Sequence, residues 1–338
     1  MRSPLAISVG DPAGVGPIVT ADALAKCLGD DRAIVFGDAG WMKKALAEAG
    51  FASTVHDAVG ADTTAIGPGE VSLVHVADWS EAMMARRAPA ADAGNAQRLA
   101  LDAACDVANG GTARALVTGP VSKKAIDLSG TPFRGQTEHL AARTGLQDDA
   151  VTMMFLGPRL NVALVATHWS IANVPSTVTE KHVIRTARHL AEALLQLNDG
   201  PGAIRIVVTG LNPHAGEGGV LGNEERDTIG PAVGALRGDA QLAERVQYEG
   251  PIAAEAAFRF AADRQFDGVV AMYHDQATIP SKLLDWGQAV NVTWGLPFVR
   301  TSVDHGVAYD AAAHGSASSA GMVAAIVAAQ RLTDEPSR

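Results

Sequence analysis

DGVVAMYHDQATIPSKLLDWGQAVNVTWGLPFVRTSVDHGVAYD, residues Asp267–Asp310, alternates short apolar runs with isolated polar groups. Val269, Val270, Ala271 and Met272 read as a buried strand that ends in Tyr273, His274, Asp275 and Gln276. Lys282 follows alone. A second apolar run, Val290–Thr293, carries Asn291, and Arg300 comes after a proline-containing turn. Asp304, His305 and Gly306 lie just beyond. Ligands bind at the carboxyl ends of strands in open α/β sheets, so this stretch is expected to supply one metal ligand and most of an anion pocket.

Working outward, the rest of the chain repeats the pattern of apolar run, glycine turn and helix. Leu5–Val9 reads as a strand feeding GDPAGVGP (Gly10–Pro17), then a helix over 18–28 with Pro17 in its first turn, where a missing N–H costs nothing. The glycines are spaced GxxxGxG, which is not the GxGxxG dinucleotide fingerprint. Further strands are expected at 33–36, 71–76, 113–117, 203–209 and 269–272. Runs 152–155 and 161–167 read as a strand pair joined through Gly157-Pro158. Helices are expected near 41–49, 94–109, 179–198, 223–236, 253–263 and 316–331, and another opening at Gly135, where Thr137 could act as its cap. Strands alternating with helices imply a mostly parallel, helix-covered sheet. His56 and His75 read as structural or surface residues, His182 and His189 as surface residues, and His139 as no ligand.

Bulk properties narrow the function. The chain has 338 residues, enough for one large or two medium domains. Aromatics are 5% against 47% hydrophobic residues overall, so the core is built from Ala, Val, Leu and Ile. A net charge of -10 and a pI of about 5.4 argue against nucleic acid or an anionic membrane as partner. The two cysteines, Cys27 and Cys105, have no partner at metal-ligand spacing and read as small buried hydrophobes. The amino-terminal apolar run is too short for a signal peptide and no run reaches transmembrane length, so a soluble, cytoplasmic protein is expected.

Three histidines share one context. His168 follows NVALVAT, His214 follows AIRIVVTGLNP and His274 follows DGVVAMY. In a parallel sheet such exits lie on one edge, so residues distant in sequence converge. Three imidazoles suit zinc or a similar divalent metal and leave a position open for substrate. Three hydrogen-bonded loop histidines would give the same pattern. Lys282, Asn291 and Arg300 form a second group, able to grip phosphate or carboxylate; two solvated charges is the alternative reading.

GDPAGVGP, TGPVSKKAI, GQTEHLA, VALVATHWS, GLNPHAGEGG, YHDQATIPSK and AVNVTWGLPFVRTSVDHG, followed by GVAYD, occur in the order seen in the 4-hydroxythreonine-4-phosphate dehydrogenase family, which the chain resembles over nearly its whole length. The resemblance implies an isocitrate/isopropylmalate dehydrogenase-like α/β fold of two domains with a central cleft. Residues 1–128 plus 301–338 would form the first domain, and 129–300 the second, carrying the metal and phosphate site. It also implies a homodimer with the active site near the subunit interface.

The same resemblance places metal ligands at His168, His214 and His274 and substrate contacts at Gln136, Thr137, Lys282, Asn291 and Arg300. Cofactor contacts fall on His305, Gly306 and Asp310, with NAD or NADP as the cofactor and zinc, magnesium or cobalt as the metal. Asp275 is the candidate base or orienter of its histidine neighbour. The implied reaction is oxidation of 4-phosphohydroxy-L-threonine at C3, then decarboxylation to 3-amino-2-oxopropyl phosphate in pyridoxal phosphate synthesis. Related activities on 4-phospho-D-threonate, D-erythronate or an aromatic cis-dihydrodiol carboxylate stay open. So, from other classes, do a phosphate acyltransferase and a non-catalytic metabolite-binding protein. Three positions depart from the family pattern: Gln136 stands for the histidine of GHTE, Ile18 for a common glutamate, and Glu255 for a common aspartate. Glutamine still hydrogen-bonds but cannot become cationic.

Overall fold

Leu5–Ser8 (β1), Ala33–Gly37 (β2) and Ala115–Thr118 (β5) are buried at every position, which is how strands read when helices cover both faces of a parallel sheet. They belong to a computed structural model that describes residues 2–58, 66–198, 200, 202–240 and 244–334. The chain divides into two compact units, Met1–Ala150 with Leu296–Thr333, and Val151–Gly295 with Asp334–Arg338. These bounds differ from 128/129 and 300/301. The helix Gln136–Arg143 belongs with the first unit because His139 and Arg143 bond Asp102 and Asp106 of the helix Ala91–Asn109.

In the first unit the strands run β3 (Val55–Ala58), β4 (Val71–His75), β2, β1, β5, β12 (Val299–Ser302), with every neighbouring pair parallel. Leu5, Ile7, Ile34, Leu73, Leu101 and Leu116 are among its fully buried side chains. Helix starts follow local chemistry: Asp38 accepts from Trp41 N and Ser122 from Ala125 N, each satisfying an N–H that the first turn leaves open. Pro17 sits in the first turn of the helix Gly16–Cys27, as expected.

In the second unit the order is β11 (Val290–Trp294), β6 (Thr152–Leu156), β7 (Asn161–Leu164), β10 (Gly268–Ala271), β8 (Ile204–Thr209), β9 (Val246–Ile252). β11–β6 and β6–β7 are antiparallel and the rest parallel. A short turn can join only antiparallel neighbours, and Gly157-Pro158 makes that turn. Buried Asp285 clamps it by accepting from Arg159 N and Leu160 N. Phe155, Leu160, Val162, Leu164, Val207 and Val269 are central to this unit's core.

Several elements differ from the sequence reading. β3 and β9 were not expected: β3 is only partly buried, with His56 and Asp57 in its middle, and β9 alternates buried and exposed residues before Gly250-Pro251. Arg300, read only as following a proline-containing turn, lies within β12. Lys282 is carried by the helix His274–Leu284, which Pro280 disguises. Thr137 does not cap its helix; Gly135 holds the cap position and no side chain bonds there. His189 is not a surface residue but half-buried, bonded to Thr152 Oγ1 at 2.9 Å, and burial holds its imidazole below the ordinary value. His182, also partly buried, donates from Nδ1 to the Thr177 carbonyl at 2.8 Å. No helix among the described residues is long and apolar enough to cross a membrane.

Candidate functional site

β7, β10 and β8 are adjacent and parallel, so their carboxyl ends share one edge of the second unit's sheet. Beyond β7, Val165 N and Ala166 N still donate to the carbonyls of Ala271 and Met272, which carries the pairing to within two residues of His168. His274 opens the helix that follows β10, and the His168 and His274 rings lie 5.7 Å apart between centroids. His214 lies in the loop that follows β8.

Gln276 ties two of these exits together. Its Oε1 accepts from Thr209 Oγ1 at 3.0 Å and Met272 N at 2.6 Å, and its Nε2 donates to the Gly210 carbonyl at 2.9 Å. The Asp275 carboxylate accepts from His274 Nδ1 at 2.7 Å. An ionised carboxylate can only accept, so Nδ1 is the donor in this bond and Nε2 is the ring nitrogen left facing away from Asp275. Of the two roles expected for Asp275, orienting His274 is the one with a bond in the structure.

The His214 loop has an unusual backbone. His214, Ala215, Gly216, Glu217 and Gly218 all have positive φ, from 45° to 78°. For a residue with a side chain the left-handed conformation costs about 1–2 kcal/mol, so His214, Ala215 and Glu217 are held against their preference. Beside this turn lies Glu225, which is 7% exposed. Its Oε1 accepts from Leu211 N and Asn212 N, both at 2.8 Å, and its Oε2 from Asn212 Nδ2 at 3.0 Å. Asn212 Nδ2 also reaches Glu224 Oε2 at 2.7 Å, and that bond is the main cause holding the Glu224 carboxyl below its ordinary range. A side chain on Gly216 would meet Glu225 Oε2 at 2.6 Å, so glycine is needed there for close approach as well as for φ.

In the first unit, Arg300 is 2% exposed. Its Nε and Nη2 donate to Thr118 Oγ1 at 3.1 and 2.8 Å, and Nη2 also donates to Gln136 Oε1 at 2.6 Å. Gln136 Nε2 in turn donates to the Gly119 carbonyl at 3.2 Å. Burial pushes the guanidinium down to about 9, opposed by the nearby negative charge of Glu138. Thr137, in the first helical turn beside Gln136, is buried. Gln136 is therefore both a donor and an acceptor in a chain that fixes Arg300 on β12 against the ends of β5.

The remaining expected residues are placed as follows. Lys282 Nζ lies 5.9 Å from the centroid of the Trp286 ring. Asn291 on β11 has a buried Oδ1 with no hydrogen-bond partner among the described residues. His305 and Gly306 are exposed, and His305 Nδ1 donates to the Gly306 carbonyl at 2.9 Å. Asp310 is in the first turn of the helix Tyr309–His314. That helix is fastened to the Gly10–Pro17 loop: Tyr309 OH donates to Asp11 Oδ2 at 2.8 Å, and Val15 N donates to the Val307 carbonyl at 3.0 Å. Asp11 is fully buried and also accepts from Ala13 N and Gln97 Nε2; burial pushes its carboxyl up, and these bonds oppose the rise.

Sequence reasoning missed Thr118, Gln276, Glu225 and the Asp11–Tyr309 pair. Thr118 and Gln276 were within quoted motifs, TGPVSKKAI and YHDQATIPSK, but nothing in the residue types marks which neighbour they bond. Asp38, His75 and Asp78 offer ligand atoms within 4.8 Å of one another in the first unit. Both Asp38 oxygens already accept backbone bonds, from Trp41 N and Trp79 N, so that cluster braces the ends of β2 and β4. Cys27 and Cys105 are unpaired, and burial pushes their thiols up to about 11 and about 12. Among the described residues, His168, His214 and His274 do not form a group whose ligand atoms all lie within 4.8 Å of one another; the His168 and His274 rings are neighbours, and His214 is placed by the loop after β8.

Two α/β units, with polar side chains gathered at the exits of parallel strands, define an enzyme of the isocitrate/isopropylmalate dehydrogenase-like fold. The family model described as pyridoxal phosphate biosynthetic protein PdxA matches residues 30–329, and the chain belongs to that family. A 4-hydroxythreonine-4-phosphate dehydrogenase from Desulfosudis oleivorans is 40% identical over 337 residues, covering 96% of this chain and 94% of that protein. The crystal structure of 4-hydroxythreonine-4-phosphate dehydrogenase from Klebsiella pneumoniae is 31% identical, with a TM-score of 0.78, covering 98% of this chain and 100% of that one. A terephthalate 1,2-cis-dihydrodiol dehydrogenase from Burkholderia xenovorans is 28% identical with a TM-score of 0.70, and 98% of each chain is covered.

Proposed function

We propose that this chain oxidises 4-phosphohydroxy-L-threonine at C3 with NAD or NADP and that the product decarboxylates to 3-amino-2-oxopropyl phosphate, a step of pyridoxal phosphate synthesis. The observation that carries the reading is the placement of His168, His214 and His274 at the exits of three adjacent parallel strands in a member of this family. A divalent cation, zinc, magnesium or cobalt, supplies Lewis acidity at the C3 hydroxyl oxygen, and the nicotinamide supplies the hydride acceptor.

The chain's own residues do the rest. His168, His214 and His274 are the imidazole ligands, and Asp275 orients His274 and is the candidate to take the hydroxyl proton. Lys282, Asn291, Thr137 and Arg300 hold the phosphate ester, with Gln136 bonded to Arg300. Two of these donors are permanently or readily cationic, in a chain whose net charge of -10 would otherwise repel the substrate. His305, Gly306 and Asp310 form the cofactor edge. With C3 oxidised, the carboxylate is β to a ketone and leaves as CO2. The working form is a homodimer in the cytoplasm; the exposed Ile279, Leu283 and Trp286 offer a second copy an apolar surface, and both cysteines are unpaired.

The test is nicotinamide reduction by the purified protein with 4-phosphohydroxy-L-threonine, its unphosphorylated analogue, 4-phospho-D-threonate, 4-phospho-D-erythronate and a cis-dihydrodiol carboxylate. Each is assayed with both cofactors, before and after chelation and metal return. Turnover of the first substrate that is lost on chelation is expected. Faster turnover of any other substrate, or activity indifferent to the chelator, refutes the assignment.

A further inference from the structure

We propose that Glu225 is the positioning residue for His214: its buried carboxylate holds the loop in its left-handed turn and so fixes where that imidazole is presented. The inference rests on the reading of His214 as a metal ligand and adds a residue that the ligand pattern does not contain. Three observations support it. The turn 214–218 is left-handed at five successive residues, three of which carry side chains, a conformation that a free loop abandons. The two backbone N–H groups that lead into it, Leu211 and Asn212, both donate to one oxygen of Glu225, and the Asn212 amide donates to the other. Gly210 and Gly216 leave room for that carboxylate, since a side chain on either would meet its oxygens at 3.0 or 2.6 Å.

Glu225 is placed to act through this loop backbone. All three bonds to it come from N–H donors, so an acceptor with two oxygens is required. In Glu225→Gln one oxygen becomes a second donor facing Asn212 Nδ2, and the turn loses part of its anchor. His214 then samples conformations that point its ring elsewhere, and the ligand set becomes less preorganised.

The experiment is competition for zinc between the metal-free protein and a chromophoric chelator, with circular dichroism melting of the same samples. Glu225→Gln is expected to weaken zinc binding about tenfold or more, in the range seen when a partner behind a metal ligand is removed. Adding Ala215→Gly in that background is expected to recover at least about threefold, because glycine adopts a positive φ freely and the turn then depends less on its anchor. Wild-type affinity in Glu225→Gln overturns the proposal. So does a double variant that regains melting temperature without regaining zinc, since that result makes Glu225 a stabilising group only. If Glu225→Gln does not fold, Asn212→Ala removes just the amide contacts. A loss of affinity of about threefold or more supports the proposal there, and none overturns it. His214→Ala separates the two readings: unchanged zinc binding in that variant removes the metal assignment itself, whereas lost binding there with none lost in Glu225→Gln removes only the role of Glu225.

Discussion

Tyr309→Phe deletes a single oxygen, and its consequence can be worked through from Asp11. The Asp11 carboxylate has no exposed surface and three donors: Tyr309 OH at 2.8 Å, Ala13 N at 2.9 Å and Gln97 Nε2 at 3.1 Å. Burial raises its pKa above the ordinary 3.8, and the Tyr309 bond is the largest influence opposing that rise. The folded state therefore binds a proton at Asp11 more readily than the unfolded chain. Stability is greatest below the unfolded value and falls as pH rises toward the folded one. A hydrogen bond to a charged group contributes roughly 1.5–3 kcal/mol. In Tyr309→Phe the folded pKa of Asp11 moves further up, and the decline in stability continues to higher pH. Denaturant unfolding across a pH series checks this. At neutral pH the variant should be less stable by roughly 1.5–3 kcal/mol, and in acid, where Asp11 is neutral in both proteins, the difference should shrink to about 0.5–1.5 kcal/mol. Because Tyr309 fastens the segment that holds His305, Gly306 and Asp310, KM for the nicotinamide should also rise more than KM for the phosphorylated substrate. A stability difference that does not change with pH refutes the account of Asp11.

Arg300→Ala should raise KM for the phosphorylated substrate by about ten- to a hundredfold if its phosphate bond contributes roughly 1.5–3 kcal/mol. Gln136→Ala should raise it by less, since Thr118 still orients the guanidinium; steady-state kinetics on the phosphorylated and unphosphorylated forms separate this from a general loss of activity. Burial depresses the His189 pKa below 6.5, so the folded state resists protonation and stability should be lost as pH falls through 6.5 toward the lower folded value. His189→Gln should flatten that acid limb in thermal melts taken between pH 7 and pH 5, and an unchanged limb would count against the burial argument.

The parallel core strands were legible because burial on both faces leaves an unbroken apolar run, as in Ala33–Gly37 and Gly268–Ala271. The edge strands were not: Val55–Ala58 and Val246–Ile252 carry polar residues where one face meets water. Proline hid the helix His274–Leu284, since sequence patterning treats an internal proline as a stop and tertiary packing overrode it. The histidines at strand exits could be named from position alone. Their supports could not, because the Glu225 contacts join residues through backbone N–H groups that every sequence has. Gln136 was marked as a departure from the family pattern, but its bond to Arg300 depends on β12 lying beside β5, a pairing that residue types alone do not show.

The first unit is assembled from chain segments that a whole second unit interrupts, and this sets an order of events during synthesis. When β5 leaves the ribosome, the edge that will pair with β12 has no partner, and Val151–Gly295 must be made before Val299–Ser302 arrives. The second unit's strands all come from one continuous run, so it can close its sheet earlier. The nascent first unit meanwhile carries an open strand edge, the feature most prone to pairing with another chain. Arg300 arrives on the strand that closes this edge, so its bonds to Thr118 and Gln136 can form only once the sheet is complete. A chain stalled or truncated before residue 299 would display an unprotected sheet edge and leave Thr118 and Gln136 without their arginine partner.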